Sequence, residues 1–275
     1  MFRVTKALNH NALLAVDGDD HREYLILGKG VGFGKKVSER FEADGDLRIY
    51  SLNVRGKHES AREMVNSMDP VFLEIAGRVL DEAENAFGKI DRNILFPMAD
   101  HIAYAVRRIR DGEQIHNPLT GDIQILFYQE FKVAECIRQI LKEKCGVEIC
   151  DDEIGYVALH VHSAISEEKV SGAMQMAAAV RECVTAIENE MGVKMDVRSF
   201  GYNRLMNHIK YMAARLAAGE RLKVDMNGYI SYSFPKSFEI AETVCRKLAK
   251  SLNAQLPDSE IGYLAMHIER IYHEE

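Results

Sequence analysis

The sequence predicts a multidomain α and β protein, with a small antiparallel β-sheet domain followed by two duplicated all-α helical-bundle domains. Residues 1–55 alternate short apolar runs with turn residues, whereas the remainder carries apolar residues at helical spacing between caps. The string Glu153-Ile154-Gly155-Tyr156-Val157-Ala158-Leu159-His160 returns as Glu260-Ile261-Gly262-Tyr263-Leu264-Ala265-Met266-His267. A second histidine precedes each copy in register: 208 − 101 = 107 for His101 and His208, and 267 − 160 = 107 for His160 and His267. At that offset Ile102 matches Ile209, Tyr104 Tyr211, Arg108 Arg215, Gly112 Gly219 and Phe131 Phe238 without a gap. One structural unit is therefore used twice. The expected domains are 1–56, 62–168 and 172–275.

Within the head, Phe2, Val4 and Leu8 mark a first strand, 12–16 a second, 24–27 a third, and 47–50 a fourth beyond a polar loop. A sheet of this size is marginal alone and gains from pairing with a second copy. Between the third and fourth strands, Gly28-Lys29-Gly30-Val31-Gly32-Phe33-Gly34-Lys35-Lys36 crowds glycines, lysines and one aromatic together. Glycine admits close backbone approach, lysine neutralises phosphate, and an exposed Phe33 would stack on an unpaired base. RNA fits this better than ATP or a dinucleotide, whose loops need spacings that are missing here. A glycine-rich turn with Phe33 in the core is the competing structural account.

A polar connector at 54–60 leads into helices. Asp69-Pro70 is a start signal, with Asp at the N-cap and Pro at the first helical position; Phe72, Ile75, Ala76, Val79, Leu80 and Ala83 make one face, and Gly88 is the stop. Further helices are expected at about 98–110 and 128–144, then one capped by Asp151-Asp152. The second unit repeats the order with a helix ending at Gly192, then 204–218, 237–252 and a last helix capped by Asp258 or Ser259. A polar hinge at 166–172 separates the units.

Charge and composition narrow the chemistry. With 47% hydrophobic and 28% charged residues the chain is globular rather than disordered. No apolar run suggests membrane insertion, and the amino terminus lacks a secretory design, so a cytoplasmic location is expected. The net charge of −7 divides unevenly: residues 1–55 hold nine Lys/Arg against eight Asp/Glu (+1), leaving 35 − 9 = 26 against 42 − 8 = 34 (−8). Five cysteines without a C-x-x-C pair read as free, buried thiols.

All four repeated histidines fall at the border of an apolar face, where an imidazole is oriented yet still reachable. His160 and His162 are two apart and point about 200° away from each other, no H-E-x-x-H is present, and no nucleophile motif accompanies the histidines. Neither metal, cofactor nor enzymatic catalysis is expected. What remains is histidine as a phosphoryl acceptor: one ring nitrogen attacks while the other is hydrogen-bonded, and a pKa of about 6.5 leaves much of it neutral. Arg108 and Arg215 are candidate neighbours for the added charge.

Lys6-Ala7-Leu8-Asn9-His10-Asn11 and the loop from Leu27 to Lys36, followed by the duplicated two-histidine unit, resemble the BglG/SacY/LicT transcriptional antiterminators over the whole chain. The resemblance implies an RNA-binding head that dimerises on a leader-mRNA hairpin and stops an overlapping terminator from forming. It implies RNA contacts at Lys6, Asn9, Asn11, Gly28, Lys29, Gly30 and Phe33, and phosphorylation at His101, His160, His208 and His267. The implied donors are the sugar-specific enzyme II for the first unit and HPr for the second. Departures are His10 where many members have Asn, Lys29 where several have Arg, and Asn207 where the first unit has Asp100. The stretch 100–105 and the loop 32–36 lean toward the glucose-responsive branch. The alternatives are a DNA-binding activator with the same regulation domains, which would need a helix-turn-helix head, and a phosphohistidine carrier.

Overall fold

The structure, a computed structural model, describes residues 1–43, 45–52, 65–166, 168–197, 199–251 and 254–274. The connector at 54–60, the boundaries at 56 and 62, and the helix end at 252 lie outside the described residues. The chain divides into two compact units, one of residues 1–117 and 129–170, the other of 118–128 and 171–275.

The first unit opens with five strands, β1 (Phe2–Asn9), β2 (Ala12–Asp17), β3 (Glu23–Leu27), β4 (Arg40–Phe41) and β5 (Arg48–Ser51). They form one antiparallel sheet in the order β4-β1-β2-β3-β5. The two-residue β4 was expected to be loop. It pairs Phe2 with Phe41 and Arg3 with Arg40, and a two-residue strand is too short to show alternation in sequence. β2 reads as a continuous apolar run because both of its faces are covered. Leu13 and Ala15 join Val4, Ile26 and Val31 in a core on one face, closed by Phe2, Tyr24, Phe41 and Leu47. The other face meets α1 (Pro70–Phe87), where a side chain on Gly77 would stand 3.5 Å from Leu27 and 3.8 Å from the Tyr50 hydroxyl. Tyr50 also packs edge-on against Phe96 and accepts from Arg92.

The start of α1 is as the sequence predicts: Asp69 accepts from the Val71 N–H at 3.0 Å, Pro70 takes the first position, and Gly88 ends the helix at φ 81°. α2 (Leu95–Arg110) begins three residues earlier than expected, since Pro97 falls in its first turn, where the missing N–H costs nothing. The helix expected over 128–144 is broken into α4 (Tyr128–Ala134) and α5 (Ile137–Cys145). At the break Cys136 N–H turns to the Val133 carbonyl and Arg138 N–H to that of Glu135, three residues back rather than four. No Gly or Pro signals this step. α6 (Asp151–Ile165) follows; Asp151 and Asp152 are not its cap but its first turn, where their charge suits the helix dipole, and Cys150 is the cap residue.

The second unit holds α7 (Val170–Met191), α8 (Phe200–Ala218), α9 (Asn227–Ser233), α10 (Pro235–Ser251) and α11 (Ser259–Glu274), together with α3 (Thr120–Leu126). α3 and α9 were not expected. Each is seven residues long with Gly at its second position, too short for helical periodicity to register, yet they are the same element: 227 − 120 = 107. In this unit α3 packs on α8, with Asp122 fully buried and accepting from Arg181 at 2.8 Å. All five cysteines are free; Cys183 and Cys245 are buried, while Cys136, Cys145 and Cys150 are only partly so, short of the burial expected for all. Among the described residues no helix is long and apolar enough to cross a membrane.

Candidate RNA-contact surface and histidine pairs

The turn between β1 and β2 and the glycine-lysine loop after β3 are laced together. Asn11 N–H donates to Asn9 Oδ1 at 2.8 Å, Gly30 N–H to Asn11 Oδ1 at 2.9 Å, Gly28 N–H to the Asn11 carbonyl at 2.9 Å and Gly32 N–H to the His10 carbonyl at 3.0 Å. Five of the seven expected contact residues, Asn9, Asn11, Gly28, Lys29 and Gly30, therefore share one small surface. Phe33, 70% exposed and edge-on to His10 at 5.3 Å, stands out from it, which removes the reading of Phe33 as core. Lys6 lies further along β1 and donates to Asn66 Oδ1 at 3.0 Å.

Gly32 is where the backbone comes closest: a Cβ there would lie 2.1 Å from the Asn9 carbonyl oxygen. Gly32→Ala is accordingly expected to push the loop off the 9–11 turn at a cost of about 1–3 kcal/mol. Thermal melting of the full chain measures it, and an unchanged midpoint would contradict the close approach.

In the first unit His101 of α2 and His160 of α6 face each other with ring centroids 5.6 Å apart, and Tyr156 lies 5.4 Å from His101. Glu153, one turn before Tyr156, is 2% exposed and organises the group. Arg108 donates to its Oε1 at 2.6 Å, and His101 Nε2 stands 3.2 Å from Oε2, at ion-pair distance though off the hydrogen-bond line. Burial would raise the Glu153 carboxyl, but the His101 and Arg108 contacts outweigh it and hold it below the usual range. Arg108 also lies over the Tyr104 ring at 5.0 Å.

His160 departs from expectation. It is 8% exposed rather than at a reachable border, because α6 is buried on nearly every side, including Leu159, Val161 and Ala164. Its Nδ1 has no hydrogen-bond partner, and burial, with His101 nearby, pushes its pKa down to about 3.

The second unit repeats the layout with one change. His208 of α8 and His267 of α11 are closer, 4.4 Å between centroids, and Arg215 binds Glu260 through two bonds of 2.7 Å. Glu260 is fully buried and wholly engaged by the arginine, and His208 Nε2 is left without a hydrogen bond. Burial, then His267 and Arg215, pushes the His208 pKa down to about 3. Burial, with Arg270 and Arg204, also lowers that of His267. Each unit thus sets two imidazoles face to face beside an Arg–Glu bridge.

Two family models match the chain. Residues 2–59 match the CAT RNA binding domain, and residues 77–164 and 181–271 each match the PRD domain. The chain belongs to the BglG/SacY/LicT family of transcriptional antiterminators.

Similar proteins include Protein GlcT of Staphylococcus epidermidis, 27% identical over 96% of this chain and 95% of that protein. The GlcA/glcB genes antiterminator of Staphylococcus carnosus is 25% identical over 96% and 94%, and the transcription antiterminator LicT of Bacillus subtilis 22% over 98% of each. The crystal structure of GlcT CAT-PRDI, 30% identical, covers 60% of this chain and 98% of its own, with a TM-score of 0.53. The likeness to the GlcT proteins fits the glucose branch of the antiterminator family. Within this antiterminator, sequence reasoning passed over Glu153 and Glu260 as chemistry. Their signal was present, since each keeps the 107-residue register with Arg108 and Arg215.

Proposed function

We propose that this antiterminator is sugar-responsive, binds a leader-mRNA hairpin as a dimer through its sheet head, and thereby prevents a terminator from forming. Phosphorylation of its histidines by the sugar phosphotransferase system sets the activity, with enzyme II acting on His101 and His160 and HPr on His208 and His267. The observation that carries this reading is the facing histidine pair, repeated in both units behind a head whose loop exposes Phe33 and Lys29. His101, with 18% of its side chain exposed, is the readier acceptor of its pair; His160 takes a phosphoryl group only when the edge of α6 opens.

A phosphoryl group adds close to two negative charges beside Arg108 or Arg215, which competes with Glu153 or Glu260 for the guanidinium. Shifting a population from 1:99 to 99:1 takes about 5.5 kcal/mol. Contacts to a charged group at about 1.5–3 kcal/mol each, repeated across a symmetric dimer, reach that size. Among the described residues of 2–51 there are strands and turns and no helix-turn-helix, which supports RNA over a DNA-binding activator.

The test is transcription through the leader of the neighbouring transporter gene, with purified protein before and after treatment with HPr and the cognate enzyme II. Read-through is expected to rise with the active phosphoform. His101→Asp is expected to lower RNA binding and dimerisation where His101→Ala does not. Identical behaviour of both variants and the parent would overturn the switch at that position.

A further inference from the structure

We propose that helix α1 is an internal competitor for the RNA, with the Glu74 carboxylate occupying the amide donors of Asn9 and Asn11. Asn9 Nδ2 donates to Glu74 Oε1 at 2.7 Å and Asn11 Nδ2 to Oε2 at 3.1 Å, so one carboxylate takes both. The two amide oxygens are already fixed by backbone N–H groups, which leaves the NH2 groups as the recognition ends of these side chains. A carboxylate is the kind of acceptor that a phosphate or base edge would offer them. Glu74 is itself held: its side chain is 13% exposed, and Lys144 of α5 reaches Oε2 at 3.2 Å. Lys6 is engaged by Asn66, just upstream of α1, so a third contact residue is taken as well.

Lys29 and Phe33 remain exposed, and between Lys29 and α1 lies a cleft of about 340 Å³ bordered by Asn11, Gly28, Lys29, Glu74 and Arg78. The surface is thus half open. A strand entering along Lys29 meets the Glu74 charge where it should find two amide donors, and α1 must withdraw before the full surface can be used. α1 packs on α2, the helix that carries His101, so displacing one bears on the other.

This inference rests on the RNA reading of the head, and the experiment separates the two. The full chain and its variants are titrated into a fluorescently labelled imperfect hairpin transcribed from the chain's own operon leader. If nine molecules in ten are closed, Glu74→Ala binds about tenfold more tightly than the parent. Lys144→Ala, which frees Glu74 without touching the sheet, gives a smaller gain and covers the case in which Glu74→Ala does not fold. Asp46→Asn, a loss of charge on the same cleft that bonds neither asparagine, gives roughly no gain beyond general screening. Equal affinity of the parent, Glu74→Ala and Lys144→Ala, with weaker binding by Asn9→Ala, would overturn the competitor while keeping the RNA reading. A gain from Asp46→Asn matching that from Glu74→Ala would also overturn it. Absence of binding by the parent and every variant would overturn both.

Discussion

Replacing Arg215 by alanine is expected to destabilise the second helical unit by about 3–5 kcal/mol, the usual cost of stripping a buried ion of its partner. Glu260 is fully buried, and both of its oxygens are held by Arg215 at 2.7 Å. His208 Nε2 makes no hydrogen bond, so it does not share the carboxylate with Arg215 through one. Arg108→Ala in the first unit is expected to cost less, because His101 still lies 3.2 Å from Glu153. Chemical denaturation of the two variants side by side checks the ranking. Equal losses would mean that the difference between the two histidine sites is of no energetic consequence. The double variant Arg215→Met with Glu260→Leu, which removes the charges together, is expected to recover most of the loss.

Acidification is expected to cost about 2 kcal/mol for each of His160 and His208 by pH 5. An unfolded chain charges both imidazoles as pH falls through 6.5, whereas in the folded chain their pKa values are about 3. The unfolded state therefore binds more protons over this window. Stability that is fully present above pH 6.5 is lost progressively as pH drops toward 3. The groups facing them make the folded state resist charging further: His101 beside His160, and His267 with Arg215 beside His208. The depressed carboxylate of Glu153 loses its own contribution only below the ordinary carboxylate range, so the interval from pH 7 to pH 5 isolates the histidines. Melting temperatures of the parent and of His160→Gln across that interval give the measurement. A parallel pH dependence in the two proteins would remove His160 as its source.

What the sequence discloses follows the range of the interactions involved. The Asp69-Pro70 start and the Gly88 stop of α1 are local chemistry, and both are where the sequence predicts them. The paired histidines announce themselves through duplication, which marks positions without saying how deep they lie. The burial of His160 depends on what packs around α6, and no residue near 160 encodes that. β4, α3 and α9 fail for a different reason, being too short for the period of a strand or helix to repeat often enough to be recognised. The Glu74 contacts are the least legible of all, since Asn9 and Asn11 lie 65 and 63 residues away in the chain. Glu74 reads locally as one more polar residue on the outer face of α1. Phe33 was undecided between stacking and core; its 70% exposure is a property of the loop's closure on the 9–11 turn, which the glycines permit but do not dictate.

The short helix α3 has an implication for how such a gene can change. By sequence it belongs to the first copy of the repeat, yet in space it forms part of the second unit, where Arg181 reaches its buried Asp122. The backbone accordingly passes between the units three times, near residues 117, 128 and 170, rather than once. The second copy is not a cassette that recombination can lift out at the 166–172 hinge: a piece starting there would leave behind the carboxylate that Arg181 is built to meet. Duplication made the two copies alike, yet one seven-residue helix written in the first is packed with the second.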